Sequence, residues 1–219
     1  MGLERSVVFW VGGLPVTSTV VATTGLVTLL AALAIWGGRR IESRAAGWQA
    51  VAEWGLRLLR ETLDDATGHG ERYLPLVATV AIFVLAANLM SAIPFAEAPT
   101  ADINTPVALA AIVFFSVHYY GIREAGLWPY LKRFAQPTVV LLPINILSNL
   151  TRTASLAIRL FGNMVSHQII VAVLFVVVPL LVPALLQVFG LFVGVLQAYI
   201  FTVLTIVYIG GAVRAGAEL

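Results

Sequence analysis

The feature that most constrains this chain is a series of long apolar stretches. The first runs from about Leu14 to Trp36, and YLPLVATVAIFVLAANLMSAIP (73–94) and the segment from Pro106 to Tyr120 follow it. About 20 mainly apolar residues are needed for a helix to cross a bilayer, and lipid offers backbone groups no partners outside helices and closed barrels. Because the alternating pattern of a membrane barrel is absent, the sequence predicts an all-α polytopic membrane protein.

Composition supports this fold class and excludes others. Of the 219 residues, 60% are hydrophobic and 11% are charged, whereas soluble domains carry about 25% charged residues. The chain has no cysteine, which excludes disulfides, thiolate metal sites and thiol catalysis. The basic residues lie at the ends of the apolar stretches, so they indicate membrane orientation rather than nucleic-acid binding. The first stretch is too long for a signal peptide and predicts a permanent anchor.

The basic residues also predict an orientation. Lysine and arginine are absent between Arg72 and Arg123, where only Glu97 and Asp102 are charged, whereas the segments at 39–72 and 121–133 are basic. The positive-inside rule places those segments and the C-terminus in the cytoplasm and the N-terminus outside, with five crossings. We expect one membrane domain (1–219), made of an anchor (1–40), a cytoplasmic amphipathic segment (41–72), a helical hairpin (73–134) and two channel helices (135–219).

The amphipathic segment has two interpretations. Charged and apolar residues are spaced within 42–72 so that a helix there would have one apolar and one charged face. Such a helix either lies on the membrane surface or packs against its own protein.

The last two apolar stretches are longer than a simple span requires. The first is helical in pattern from Pro143 to about Phe175, which corresponds to roughly 50 Å at 1.5 Å per residue, against a hydrocarbon core of about 30 Å. The second runs from about Ala184 to Val213, after Pro179 and Pro183 interrupt the chain. We expect two long, strongly tilted helices that form a hairpin.

Polar residues recur every three or four positions in both long helices and therefore share one face of each. In the first helix they are Asn145, Asn149, Arg152, Ser155, Arg159, Asn163 and Ser166; in the second they are Gln187, Gly190, Gly194, Gln197, Thr205 and Tyr208. The GxxxG spacing of two of these glycines is more typical of close helix packing than of an ion path.

Arg159 is the residue that most needs explanation. An unpaired charge at bilayer depth costs about 3 kcal/mol or more, and no aspartate or glutamate lies between Glu124 and Glu218. A structural pair within the chain is therefore disfavoured. The missing negative charge is expected from another chain, from an anionic substrate, or from a transient partner.

Two stretches carry a resemblance to a known family. TRTASLAIRLFGNM (151–164) and LQAYIFTVLTIVYI (196–209) resemble the signature stretches of subunit a, the membrane stator and channel subunit of rotary F-type ATP synthases. LLPIN (141–145) and TADIN (100–104) resemble two further family elements, and the likeness covers most of 73–210.

The resemblance implies a function and a set of partners. The two tilted helices would lie against a rotor ring of small hairpin subunits, and Arg159 would meet one ring carboxylate at a time. Two offset half-channels would carry H⁺, or Na⁺, to and from the ring. Peripheral stalk subunits and the catalytic ATPase head would be partners, so ATP chemistry would reside outside this chain, which needs no cofactor, metal or catalytic residue. The location would be an energy-transducing membrane such as the bacterial inner membrane.

The resemblance also assigns residues. Gln197 is expected to hydrogen-bond or orient Arg159 from the neighbouring helix. The candidates for ion translocation are Arg159, Asn163, Gln197, Gln168, His167 and Ser166. The channel-lining or structural candidates are Asn145, Asn149, Arg152, Gly190, Gly194, Thr205, Tyr208, Asp102 and Asn104.

Three departures from the family pattern affect the identity of the ion. Asn145 stands where family members often carry an acid, Gln168 where they often carry Glu or His, and Gly190 where some carry His. The outer half-channel would then offer mainly amides and hydroxyls. Water could carry protons there, and amide oxygens would also suit Na⁺. H⁺ is favoured, with Na⁺ as the alternative.

A secondary transporter that binds an anionic substrate through an intramembrane arginine is the main competing function. Such proteins often contain an internal repeat with a matching broken helix, and no second copy of the Arg159 region is present. An intramembrane hydrolase is disfavoured because the sequence offers no nucleophile set, metal-ligand set or carboxylate pair for it.

Overall fold

The computed structural model describes residues 7–11, 14–39, 47–92, 98–134, 138–178 and 181–217. Two short strands, β1 (Val7–Val11) and β2 (Leu14–Thr17), come first. The helices are α1 (Ser18–Arg39), α2 (Trp48–Thr67), α3 (Leu74–Leu89), α4 (Asn104–Ala125), α5 (Leu127–Phe134), α6 (Leu142–Val177) and α7 (Leu181–Ala217). Glu97, Pro179 and Glu218, which entered the sequence argument, lie outside these ranges.

The all-helical membrane fold is confirmed, with one difference at the start. The first apolar stretch does not become helical at Leu14, because Leu14–Thr17 pairs with β1 as an antiparallel strand. Pro15 explains the difference, since it lacks an amide hydrogen and disfavours a helical conformation of the residue before it. The helix begins at Ser18 instead.

Four helices are long and apolar enough to cross a membrane, namely α1, α4, α6 and the Leu181–Arg214 part of α7. The segment predicted at 73–94 forms a shorter helix, because α3 has 16 residues and a 3₁₀ turn at Met90–Ala92 follows it. Sixteen residues span only about 24 Å, so five crossings stay a prediction.

The two long C-terminal helices are confirmed. They contain 36 and 37 residues, and the first is therefore about 54 Å long. Pro183 does not interrupt the second helix as expected. It lies in the first turn of α7, where its missing amide hydrogen removes no helical hydrogen bond.

Helix α2 packs partly against its own protein. Leu63 is fully buried in a cluster with Val77 of α3 and Ile206 of α7, whereas Val51 and Trp54, near the start of α2, are exposed. Packing against the protein therefore holds for the C-terminal half of α2. The basic segment at 121–133 contains most of the short helix α5.

The main core lies where α3, α4, α6 and α7 meet. Its fully or nearly fully buried side chains are Val84, Val113, Leu156, Leu160 and Phe201. Helix α7 contributes to this core and to the α2–α3 cluster, so it is the central element and holds α6 in place.

Candidate functional site

Arg159 lies near the middle of α6 on its exposed side, between two buried leucines, Leu156 and Leu160. Its guanidinium makes no hydrogen bond or ion pair with any residue in the described ranges. Glu124, the nearest acid before it in the sequence, instead pairs with Arg72. The described part of the chain therefore holds no partner for this charge.

Asn163 and Gln197 connect the two long helices about 6 Å beyond Arg159 along α6. The Nδ2 of Asn163 donates a hydrogen bond of 2.7 Å to the Oε1 of Gln197, which is 3% exposed. Gln197 makes no hydrogen bond with Arg159 in this structure. Its amide oxygen accepts from Asn163, and its amide nitrogen, like a guanidinium, is a donor. That Gln197 orients Arg159 stays a prediction.

A cavity of about 200 Å³, called cavity A, opens on the C-terminal side of Arg159. It lies between α6, α7 and the end of α3. Its polar lining is Asn88, Ser91, Asn163, Ser166, His167 and Gln197, together with the backbone at Gly190 and Gly194.

Asn88 is a wall residue of cavity A that sequence reasoning missed. Its Nδ2 donates to the carbonyl oxygen of Gly194 at 3.0 Å, and its Oδ1 accepts from the hydroxyl of Thr100 at 3.2 Å. Ser91 donates to the Asn88 carbonyl at 2.7 Å, and Gln187 donates to the Ser91 carbonyl. An amide within the otherwise apolar run at 73–94 was the available signal.

The two glycines of the GxxxG motif permit α6 and α3 to approach one face of α7 closely. A Cβ at Gly194 would lie 3.2 Å from the Cβ of Asn88. A Cβ at Gly190 would lie 2.2 Å from the imidazole carbon Cε1 of His167. Both are therefore packing positions, as the motif indicates, and both also line cavity A.

A second polar cavity, cavity B, lies on the N-terminal side of Arg159. It measures about 250 Å³ and is lined by Phe134, Asn145, Ser148, Asn149 and Arg152. The Nδ2 of Asn145 donates to the Phe134 carbonyl at 3.0 Å and so joins the start of α6 to the end of α5. A narrower cavity of about 60 Å³ shares two of these residues and extends to His118 and Tyr208.

An apolar layer separates cavity A from cavity B. Leu156, Ala157 and Leu160 of α6 and Ala198 and Phe201 of α7 are buried in one cluster at the level of Arg159. Cavity A is lined on α6 by residues from 160 onward, and cavity B by residues up to 152. Arg159 and Ser155 are exposed polar residues of α6 next to this layer.

Comparison with known proteins identifies the family. The family described as ATP synthase A chain matches residues 19–210. "ATP synthase subunit a 2" of Bradyrhizobium sp. strain BTAi1 is 43% identical over 217 residues, which cover 99% of this chain and 97% of that protein. The chain belongs to the ATP synthase subunit a family.

Two further relatives agree. "ATP synthase subunit a 1" of Chlorobaculum parvum is 42% identical over 212 residues, covering 95% of this chain and 94% of the relative. "ATP synthase subunit a" of Moorella thermoacetica is 39% identical over 208 residues, covering 94% and 95%. The resemblance drawn from 151–164 and 196–209 is confirmed, and the chain is a multi-pass membrane protein.

Not every predicted residue of this family member joins the two cavities. Gln168 is exposed and does not line cavity A. Thr205 is fully buried, and its hydroxyl donates to the Phe201 carbonyl of its own helix at 2.8 Å. Asp102 and Asn104 line a different, mainly apolar cavity of about 820 Å³ between α1, α3 and α4.

Within the described ranges, no three residues of the types His, Cys, Asp or Glu come together as metal ligands. Polar oxygens near cavity A belong to amides, hydroxyls and backbone carbonyls.

Proposed function

We propose that this chain is the ion-conducting stator of a rotary ATP synthase, with cavity A and cavity B as its two half-channels. Following the positive-inside orientation, cavity A would open to the outside and cavity B to the cytoplasm. A ring of small hairpin subunits would move past the exposed side of α6. Peripheral stalk subunits would hold the chain still, and the catalytic head would carry out the ATP chemistry.

The observation that carries this proposal is the apolar layer between the cavities. Leu160 and Phe201 are fully buried there in an apolar cluster, which disfavours direct passage of an ion from cavity A to cavity B. The ion would instead leave onto the surface near Arg159 and return at the other cavity. A partner that carries the ion around this layer is therefore required, and a turning ring of carboxylates meets the requirement.

The charge of Arg159 supplies the chemistry of exchange. A guanidinium stays protonated under all physiological conditions, and a carboxylate close to it favours its ionised form. A ring carboxylate would lose its ion on reaching Arg159 and would regain one from the other cavity before it re-entered lipid. Each elementary charge that crosses gains about 2.3 kcal/mol per 100 mV, which drives rotation.

We assign the ion as H⁺, with Na⁺ as the alternative. Cavity A includes His167, whose ring nitrogens can both donate and accept hydrogen bonds. Amide and hydroxyl oxygens in the same wall would suit Na⁺. Transport of Na⁺ is therefore the alternative.

Transport of an anionic substrate receives less support. A transporter of that type is expected to bind substrate at a discontinuous helix. Both α6 and α7 are continuous over 36 and 37 residues, and cavity B, which holds Arg152, is separated from Arg159 by about 10 Å of helix.

Replacement of Arg159 tests the proposal. We expect Arg159→Ala, in membrane vesicles that contain the whole complex, to abolish ATP-driven ion pumping while ATP hydrolysis by the head persists. The loss is expected because, among the residues that the structure describes, Arg159 is the positive group at the apolar layer. The matched control is Arg57→Ala on α2, an exposed arginine whose ion pair with Glu53 spans 3.8 Å. Pumping at the control rate in Arg159→Ala vesicles would refute the assignment.

A further inference from the structure

One side of helix α5 is apolar and exposed. Trp128 is 80% exposed and Leu131 is 50% exposed, and Leu127 is exposed as well. These three residues take the first, second and fifth positions of the helix, so they lie on one side of it. Lys132, four positions after Trp128, is exposed at the edge of that side. We call these four residues the α5 surface.

The opposite side of α5 is held against the protein by Tyr130, which is buried. A Cβ at Gly121 of α4 would lie 2.4 Å from the Cε2 of this ring, so the ring occupies space that the absence of a side chain leaves free. The ring centroid of Tyr130 also lies 6.0 Å from that of His118 and 5.4 Å from that of Phe134. An isolated helix of this length is not stable in water. These contacts therefore fix which side of α5 faces outward.

The α5 surface lies close to the end of a membrane span. The candidate span α4 ends at Ala125, and α5 begins two residues later. Gly126 makes the turn between them with a φ of 83°, and its N–H donates to the Ile122 carbonyl at 2.8 Å. Tryptophan side chains concentrate at the interface between membrane and water. The exposed Trp128 is therefore at the level of the chain where such a contact is expected.

The charges around the α5 surface are mainly positive. The segment 121–133 contains three basic residues and a single acid, Glu124. Glu124 forms an ion pair with Arg72, whereas Arg123 and Lys132 are exposed. No further acid occurs in the sequence up to residue 217. The exposed apolar side of α5 is therefore bordered by positive charge.

Helix α2 provides a contrast. It also lies on the cytoplasmic side in the predicted orientation, and it also has exposed apolar residues, among them Val51, Trp54 and Leu58. Its 20 residues, however, carry four acids and two arginines. The two helices therefore expose similar apolar residues beside opposite net charges.

An anionic membrane surface fits the α5 surface better than a soluble partner does. Amphipathic helices with leucine and tryptophan beside lysine lie in the bilayer interface, and attraction to anionic lipids strengthens their binding. The aliphatic stem of a lysine can lie along the apolar layer while its ammonium group reaches a phosphate. A soluble subunit would have to meet the α5 surface at the level of the headgroups, which the lipids already occupy.

We propose that the α5 surface docks on the headgroups of anionic phospholipids in the cytoplasmic leaflet. Leu127, Trp128 and Leu131 enter the boundary between headgroups and acyl chains, and Lys132 pairs with phosphate groups. This partner lies beyond the proposed function. Because Phe134 of the same helix lines cavity B, docking also holds one wall of that cavity at the membrane surface.

The test uses the whole complex in vesicles whose catalytic head faces outward, made of phosphatidylcholine alone or mixed with phosphatidylglycerol. Because this chain has no cysteine, Leu131→Cys introduces a single thiol into it. The reaction of that thiol with an uncharged, membrane-impermeant maleimide is followed on the separated subunit. We expect labelling to be at least about fivefold slower in the vesicles with phosphatidylglycerol, the factor that one basic residue near an anionic surface contributes. Adding Lys132→Gln should remove most of this difference.

The matched control is Leu58→Cys on α2, whose leucine is 46% exposed, close to the 50% of Leu131. Because α2 carries more acids than bases, Leu58→Cys should react at the same rate in both kinds of vesicle. Trp128→Cys repeats the measurement at a second position of the α5 surface, in case one substitution prevents assembly.

Three outcomes would overturn the proposal. Slow labelling of Leu131→Cys in both kinds of vesicle would mean that another subunit covers α5, and fast labelling in both would mean that α5 stays in water. An equal effect of phosphatidylglycerol on Leu58→Cys would show that the positive charge of α5 plays no part. Since labelling is measured without ion transport, this inference and the outcome for Arg159→Ala can fail independently.

Discussion

Among the residues that the structure describes, Tyr73 has an ionisation that the fold clearly alters, and it lies outside the helical spans. It directly precedes α3, is 1% exposed, and donates a hydrogen bond of 3.1 Å to Oε1 of Glu124. Arg72 pairs with the same carboxylate, and the ring of Tyr120 packs edge-on at 4.8 Å. Burial, followed by the negative charge of Glu124, raises the pKa of Tyr73 to about 12. This contact joins α3 to α4.

The shift predicts how stability depends on alkaline pH. Because the pKa of Tyr73 is higher in the folded protein than the value of about 10 in an unfolded chain, its contribution is complete below about pH 10 and is lost as the pH rises toward 12. Tyr73→Phe should therefore lose less stability over this interval than the unmodified chain. Thermal unfolding in detergent measures this, with Tyr199→Phe, an exposed tyrosine of α7, as the control. Parallel losses in all three proteins would contradict the prediction.

At the scale of elements, α2 and α7 meet through a glycine. A Cβ at Gly210 would lie 2.9 Å from the carbonyl oxygen of Ala66 on α2, whereas a Cβ at the next residue, Gly211, would meet nothing within 4 Å. Arg214 reinforces this contact, since its Nε donates to the same Ala66 carbonyl at 2.7 Å. Gly210 and Gly211 therefore allow a crowded and an uncrowded position of the same helix to be compared.

We expect Gly210→Ala to be less stable than Gly211→Ala by about 1–3 kcal/mol, the usual cost of overpacking. Both changes gain helix propensity by about 1 kcal/mol, so the difference isolates the contact with backbone that cannot move aside. The free energy of unfolding in detergent is the measurement. Equal stability of the two variants would show that α2 and α7 do not approach as closely as described.

Most helices were predictable from the sequence, whereas the rotation of each helix about its own axis was not. Apolar length was enough to predict α6 and α7. The three-to-four-residue spacing also placed Asn163 and Gln197 on the polar faces of their own helices. The same spacing included Thr205, but its side chain is buried in the core. Packing against other helices decides how a helix is rotated about its axis, and local spacing does not reveal that rotation. The strand at Leu14–Thr17 was missed because its apolar residues resemble the start of a span.

At the scale of the whole molecule, the candidate site consists of two cavities and the apolar layer between them. The sequence predicted the polar stripe of α6, but the walls of the cavities also come from α3 and α5, through Asn88 and Phe134. Those contacts join residues far apart in the chain, which local periodicity cannot reveal. The sequence already showed that Gly190 stands where some family members carry histidine. Only the structure shows that Gly190 lies against the ring of His167.

The central claim is that Arg159 receives its negative charge from a passing partner. A structure of the assembled complex tests this most directly, by the distance from the Arg159 guanidinium to the nearest carboxylate of the ring. We predict one ring carboxylate within about 4–6 Å, the range in which opposite charges shift each other's ionisation. An Arg159 paired with an acid of its own chain, or with no ring carboxylate within about 10 Å, the screening length at 0.1 M salt, would contradict the account.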